Sequence, residues 1–324
     1  MRVAYFVTSY RPPAQLVRLL STLRRAQPES PFVVHHDRFR TSWSPNLLAP
    51  LGDVFVRTSN APLSWGDFSI VDATWTSLRW MLEHLAFDWI VTLSEQDYPI
   101  APLAQLEHRL ATCGAEAIVQ ATPIDAIEDY ALRIDCDRRY NYRYRQIPRV
   151  HAMARLPPRI RRPIAHTALY INYVLYRLQP WITIYRYPDP LPMRLGIRTK
   201  QSPFSRVFPC WYGSQWMALD RRAAESVVEF VRVNRRYVDH YAHTAIPDES
   251  ATATIVRNDQ TLCVADEDLH LIRFRSAAGH PDVLTIKDLP ELLSSDRFFA
   301  RKFDIGTDES VLDALDEHLF GSTS

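Results

Sequence analysis

The 324-residue sequence predicts an α/β fold with a mostly parallel central sheet flanked by helices on both faces. Three observations carry this. Short runs rich in β-branched residues alternate with helical patterns of roughly 10–15 residues. One run, Trp89-Ile90-Val91-Thr92-Leu93, is apolar almost throughout, as a strand buried on both faces is. That run stops at a polar, acid-bearing cluster, Ser94-Glu95-Gln96-Asp97, where open α/β sheets bind their ligands.

In chain order, Arg2–Thr8 reads as the first strand and Ser9-Tyr10-Arg11-Pro12-Pro13 as its turn. Ala14–Arg25 carries Leu16, Leu19, Leu20 and Leu23 at helical spacing. A second strand, Phe32–Asp37, ends on an acid, as in the opening βαβ unit of nucleotide-binding folds. No GxGxxG accompanies it, and the chain has only 8 Gly, which argues against a dinucleotide fold. Asp37 is therefore either a ribose or base ligand or a strand-end turn residue. Val54–Arg57 is a third strand. The Leu63–Ser69 loop sets Trp65 against Gly66 and leads into a helix from Ile70 to His84. After the Trp89–Leu93 strand, closed by Tyr98-Pro99, come a helix over Pro102–Cys113 and a strand over Ala117–Gln120.

Beyond Tyr130 the character changes. Between Arg133 and Lys200 fifteen Arg/Lys stand against three acids, and Cys136–Arg149 interleaves arginine with tyrosine. Such a surface suits an anionic partner: arginines clamp oxygens and aromatic faces stack on sugar rings. With a net charge of +1 and no nucleic-acid module, nucleic acid is not the expected partner. The Tyr/Trp-flanked apolar stretch Tyr170–Tyr187 allows peripheral contact with a membrane surface. Pro209–Leu219 returns to strand character, Arg221–Asn234 to helix, and Ile246-Pro247-Asp248-Glu249-Ser250 opens another helix. Acids after a proline also suit a helix start on dipole grounds alone.

With 47% hydrophobic and 23% charged residues, the composition is that of an ordinary globular protein. The four scattered cysteines form no CxxC and read as free thiols in a reducing compartment. No signal-peptide layout and no apolar run of the ~18 residues that span a bilayer is present, so a cytoplasmic location is expected, with peripheral attachment at the inner membrane face as the variant. One domain is expected over 1–324: a nucleotide-binding βαβ half at 1–130, an Arg/Tyr-rich insert at 131–208, and a second half at 209–324.

Five stretches together resemble the Core-2/I-branching glycosyltransferase family, which includes the peptide O-xylosyltransferases. They are His35–Asp37, Ser64–Thr74, Ser94–Pro99, Tyr212–Leu219 with Pro247–Ser250, and Phe298–Asp304. The resemblance implies a GT-A-type nucleotide-sugar fold and inverting transfer of GlcNAc or xylose from a UDP-sugar, without a DxD-bound metal. It casts Glu249 as the general base and Lys302 as the charge on the leaving diphosphate. Asp37, with Thr8 and Ser9, would hold the nucleotide. Trp65, Asp97 and Trp216 would shape the donor and acceptor cleft, with Arg138 of the insert beside them. The family's second diphosphate-binding arginine falls here at Gly279 or His280, so Arg273, Arg275, Arg301 or His280 would take its part. No cofactor is expected, and Mn²⁺ is not expected to be needed; were it needed, Asp135 or Asp97 would offer the oxygen site. The acceptor would be a glycan, a lipid-linked glycan or a small glycoside. Two other classes compete: a non-catalytic nucleotide-sugar or glycan-binding protein on a degenerate fold, and a hydrolase pairing Glu249 with Asp248 or Asp97.

Overall fold

The structure is a computed structural model describing residues 1–146, 176, 178–185, 194–274 and 281–321. Its first half comprises β1 (Val3–Ser9), α1 (Ala14–Ala26), β2 (Phe32–His36), β3 (Val54–Thr58), α2 (Phe68–His84) and β4 (Trp89–Ser94). Then come β5 (Asp97–Pro99), α3 (Leu103–Thr112), β6 (Ala117–Ile118), β7 (Ala121–Pro123), α4 (Tyr130–Tyr140) and β8 (Tyr142–Gln146). β9 (Ile182–Tyr185), β10 (Arg194–Arg198), β11 (Trp211–Gly213), β12 (Ala218–Asp220), α5 (Arg221–Val233), α6 (Arg235–Tyr241) and α7 (Ala251–Asn258) follow. The chain ends with β13 (Val264–Ala265), β14 (His270–Ile272), α8 (Leu289–Leu293), β15 (Phe299–Arg301) and α9 (Ser310–Phe320).

The central sheet has seven strands in the order β13-β6-β12-β4-β1-β2-β3. β3, β2, β1 and β4 run parallel, as do β6 and β13, and β12 is antiparallel to both its neighbours. The strand pleat sorts side chains between two cores. Val3, Tyr5, Val7, Val91 and Leu93 pack with Leu16, Leu19 and Leu20 of α1, Leu106 of α3 and Leu312 of α9. Ala4, Phe6, Val33 and Ile90 pack with Trp75, Leu78 and Met81 of α2, Val227 of α5 and Ile255 of α7. Helices on both faces and a mostly parallel sheet are thus as expected.

Three local expectations differ. The Ala117–Gln120 strand is only Ala117–Ile118. The Pro209–Leu219 run splits into β11, paired with β7, and β12, in the central sheet. Gly213 makes the first pairing possible: a Cβ there would lie 2.2 Å from the Gln120 carbonyl oxygen. Asp97–Pro99 does not close β4 but is itself a strand, at the edge of a small β14-β15-β5 sheet. An edge position tolerates a proline, which has no N–H to donate. The 131–208 region contributes α4 and a separate sheet, β8-β10-β9; half of Tyr170–Tyr187 lies outside the described residues. Among the described residues no helix is long and apolar enough to cross a membrane.

Candidate active site

The site forms beyond the carboxyl ends of β1 and β4, where the parallel order reverses. Glu95, fully buried, fastens the two strand ends together. Its carboxylate accepts hydrogen bonds from the Ser9 hydroxyl (2.6 Å) and from the backbone N–H groups of Tyr10 (3.0 Å) and Arg11 (2.9 Å). Burial raises its pKa and these bonds pull the other way, with a net rise. Asp37 has a similar architectural position. It is completely buried, and its oxygens accept from Phe39 N–H and Leu63 N–H, both at 3.0 Å. Its carboxylate thus fixes the two loops that carry Phe39 and Leu63 beyond the carboxyl end of β2. Ser9 is likewise buried and engaged with Glu95, whereas Thr8 lines a small cavity with Trp216, Asp248 and Thr252.

Asp97 anchors the opposite wall. It accepts from Ser94 N–H (2.6 Å) and the Ser94 hydroxyl (2.9 Å), with Arg301 at 3.5 Å and His270 at 3.6 Å. Burial acts to raise its pKa, but Arg301 and His270 outweigh it and hold the group below the usual carboxylate range. Asp97 is fully buried, so it acts on the cleft through Arg301, whose guanidinium lies 4.2 Å over the Trp216 ring. The Nε and Nη1 atoms of Arg301 are buried without a hydrogen-bond acceptor, a costly state unless a ligand supplies one. Lys302 follows it. Burial and then the nearby charges of Arg301 and Arg11 depress the Lys302 pKa, against weaker support from Asp304 and Asp282. A lysine held among cations is poised for an anion.

Glu249 lies on the third side, in a single 3-10 turn, Pro247–Glu249, rather than inside the helix that follows. The residue before the turn, Ile246, has φ 48° and ψ 55°. A buried β-branched residue in the left-handed region costs on the order of 1–3 kcal/mol, and such strain concentrates at functional sites. Two bonds hold it: Ile246 N–H donates to the Gly66 carbonyl (3.1 Å), and the Tyr140 hydroxyl donates to the Ile246 carbonyl (3.2 Å). The loop bearing Trp65 and Gly66 thus clamps the acidic turn; Trp65 itself stands half-exposed at the rim. Asp67 caps α2 through Ser69 N–H and pairs with Arg194 of the insert (2.8 Å).

Within the turn the two acids diverge. Glu249 pairs with Arg139 of α4 at 2.6 Å, and Arg139 also holds Asp135 at 2.7 Å and donates to the Tyr185 hydroxyl at 3.0 Å. Burial raises the Glu249 pKa, and Arg139 counteracts this. Asp248 points instead into the cavity with Thr8 and Trp216. Its Oδ1 is buried without a partner, and burial plus the Glu249 charge push its pKa up to about 7. The structure therefore links these groups through shared contacts: Asp248 and Trp216 line one small cavity, Arg301 lies over the Trp216 ring with Lys302 next to it in the chain, and Glu249 adjoins Asp248 and pairs with Arg139.

Arg139 and His270 are participants that sequence reasoning missed, and Asp248 enters the sequence reading only as a hydrolase partner of Glu249. Arg138, the residue singled out from the tandem, turns the other way: it donates to Thr183 (3.1 Å) and to the Ile184 carbonyl (2.7 Å), bracing the insert's sheet. Helical geometry separates neighbours by about 100°, so one member of an Arg-Arg pair faces the cleft and the other its own domain. Arg273 is committed to Asp288 (2.7 Å) and Glu291 (2.8 Å); among the described candidates Arg301, which faces Asp97 at 3.5 Å but has two nitrogens without a hydrogen-bond acceptor, is the one beside Lys302. Arg275 and His280 lie outside the described residues. The acidic clusters are neutralised by arginines: Asp135 by Arg139, Asp137 by Arg198 at 2.9 Å, Asp266 by Arg257 and Glu267 by Arg109. Among the described residues no group of three His, Cys, Asp or Glu side chains gathers as a metal site.

Comparison with known proteins adds the family. The sequence matches the Core-2/I-Branching enzyme family over residues 3–146 and 177–294. It is 27% identical over 125 residues to the beta-glucuronosyltransferase GlcAT14A of Arabidopsis thaliana, covering 37% of this chain and 28% of that protein. The chain thus spans little more than a quarter of that relative's length. Among solved structures, S. aureus TarS 1–349 in complex with UDP-GlcNAc overlaps at 11% identity and a TM-score of 0.28, covering 45% of this chain and 40% of that one. The galactosyltransferase LgtC, with donor and acceptor sugar analogues, overlaps at 17% identity and a TM-score of 0.27, covering 41% and 51%. These overlaps are partial and carry nothing about donor or acceptor. The family match extends over most of the chain and takes in four of the five motif stretches, with Glu249 inside it and Lys302 just beyond its end, and on that extent the chain belongs to the Core-2/I-branching enzyme family.

Proposed function

We propose that the protein is an inverting, metal-independent glycosyltransferase that moves a sugar from a UDP-sugar to a hydroxyl of a glycan, lipid-linked glycan or glycoside. The observation that carries this reading is the gathering of unlike charges about Trp216. Asp248 lines a small cavity with Trp216 and Glu249 adjoins it, while Arg301, with two nitrogens lacking a hydrogen-bond acceptor, lies over the same ring with Lys302 next to it. A diphosphate needs cations where its negative charge grows as the glycosidic bond breaks, and two side chains can supply what a metal supplies elsewhere. An acceptor hydroxyl needs a carboxylate base within hydrogen-bond reach. Glu249 is that base; burial raises its pKa on balance, and the Arg139 pair limits the rise. Trp216, stacked under Arg301, supplies an apolar wall for the donor sugar. Thr8 and the backbone held by Asp37 border the uridine end.

GlcNAc and xylose are the donors the sequence motifs suggest, and the relative named for glucuronosyl transfer adds glucuronic acid to the candidates. The test is calorimetric titration with UDP-GlcNAc, UDP-xylose and UDP-glucuronic acid in EDTA and again with Mn²⁺, followed by turnover of wild type and Glu249→Gln. Expected is tight binding of one donor in EDTA. Glu249→Gln should keep that affinity while kcat falls by about 10²–10⁴-fold, the usual contribution of a positioned base. Binding that requires Mn²⁺ would remove the metal-independent part. Donor binding with no transfer by wild type to any acceptor class would favour a nucleotide-sugar-binding protein instead.

A further inference from the structure

The small β8-β10-β9 sheet has an outer face unlike that of an ordinary half-buried antiparallel sheet. Its inner face is packed with Tyr142, Tyr144, Thr183 and Tyr185, and the opposite face should then be polar. The register instead places Leu195 between Arg145 and Ile184, and Ile197 between Arg143 and Ile182. Ile182, Ile184, Leu195 and Ile197 are 50%, 40%, 39% and 60% exposed, and Trp181, just before β9, is 63% exposed. Apolar side chains gathered in this way on a surface mark a contact site.

Alongside runs a groove of about 810 Å³ lined by Arg143, Arg145, Arg198, Lys200 and Arg236 against one acid, Asp239. Asp239 is taken by Arg143 at 2.7 Å, and Arg198 is held by Asp137. Among the described residues Arg145, Lys200 and Arg236 have no acidic partner. An aliphatic and tryptophan face beside uncompensated cations is the chemistry of a surface that rests on acidic lipid.

We propose that this face docks the protein on an anionic bilayer, with Trp181, Ile182, Ile184 and Ile197 at the headgroup boundary and Arg145, Lys200 and Arg236 on lipid phosphates. Charge complementarity decides for lipid over a second copy of the chain. A two-fold contact through this face would set the same cations against themselves.

Co-sedimentation of the full chain with phosphatidylcholine vesicles, with and without phosphatidylglycerol, tests it. The protein should pellet with the acidic vesicles only, and less so as salt rises. Arg145→Glu and Lys200→Glu should each weaken partitioning about fivefold or more, the effect of one cation near an acidic surface. Ile184→Ser/Ile197→Ser should lower it on vesicles of the same charge. Because these residues are exposed, the thermal midpoints of all variants should stay near wild type. Equal binding to neutral vesicles, or none to acidic ones, overturns the proposal. So does concentration-dependent self-association abolished by Ile184→Ser/Ile197→Ser, which would assign the face to another copy. A large stability loss in that double variant, with vesicle binding unchanged in Arg145→Glu, would assign the face to packing within the chain.

Discussion

Replacing Lys302 by alanine should separate function from stability. The lysine has Arg301 and Arg11 as neighbours, and burial with these charges lowers its pKa. The unfolded chain therefore holds this proton more tightly than the folded one, so stability rises with pH as the folded-state pKa is approached and passed, toward the ordinary lysine value. At neutral pH the charge is a cost to folding, partly offset by burial of the side-chain stem. Removing it should leave the unliganded protein within about 0.5 kcal/mol of wild type, or slightly more stable. UDP reverses the balance. A hydrogen bond to a charged group contributes about 1.5–3 kcal/mol, so Kd for UDP should rise roughly 10- to 150-fold. At a UDP concentration 100 times the wild-type Kd, binding stabilises wild type by about 2.7 kcal/mol and the variant by only about 0.3–1.4 kcal/mol. Thermal melts with and without UDP read both quantities in one experiment. A variant that melts well below wild type without ligand, yet gains as much from UDP, would refute the reasoning and make Lys302 a packing residue.

Other consequences are as direct. Arg139→Met should strip the counter-charge from Asp135 and Glu249; both carboxylates are partly exposed, so the loss should sit at or below the about 3 kcal/mol low end for broken buried pairs, read by denaturant melts. In the same variant Glu249 loses what opposes burial, so the acid limb of the pH–rate profile should move to higher pH; an unmoved limb would detach Arg139 from the base. Gly213→Ala should drive a methyl against the Gln120 carbonyl and destabilise by about 1–3 kcal/mol, visible as a lower thermal midpoint. His35 and His240 are buried with pKa values lowered to about 4, chiefly by burial. The unfolded chain binds their protons first, so stability should fall as pH drops from about 6.5 toward 4, and His240→Gln should flatten that slope in melts across the range.

The sheet was legible because its strands are apolar on both faces: Val3–Ser9, Phe32–His36 and Trp89–Ser94 follow the run boundaries within a residue or two. β12 was harder. Only three residues long and antiparallel, it lies inside a longer apolar stretch, and nothing local marks the Ser214–Trp216 turn where the chain leaves one sheet for another. The acidic turn was found as a motif but read as a helix start, because the left-handed geometry of Ile246 comes from bonds to Gly66 and Tyr140, far away in sequence. Asp37 and Asp97 were found as acids at strand ends. That both are closed off by backbone N–H groups or by Ser94 is a property of loop packing, which no spacing reveals. Choosing Arg139 over Arg138 needed the orientation of α4 against the turn. Residue type located the chemistry, and tertiary contacts decided which neighbour performs it.

The short β14-β15-β5 sheet has a further consequence, for biosynthesis. β15, which ends at Arg301 beside Lys302, completes a wall begun by β5, and Arg11 reaches Asp304 across 293 positions at 2.7 Å. Closing so distant a contact is among the slowest events in folding, since the chain entropy must be given up before the contact forms. A nascent chain halted before β15 emerges would hold the complete β1–β4 platform yet lack Arg301 and Lys302, the two cations proposed for the diphosphate. Nucleotide could then neither template early folding nor rescue a chain truncated near Phe298, and UDP-dependent protection from proteolysis would report synthesis of the last strand rather than of the sheet.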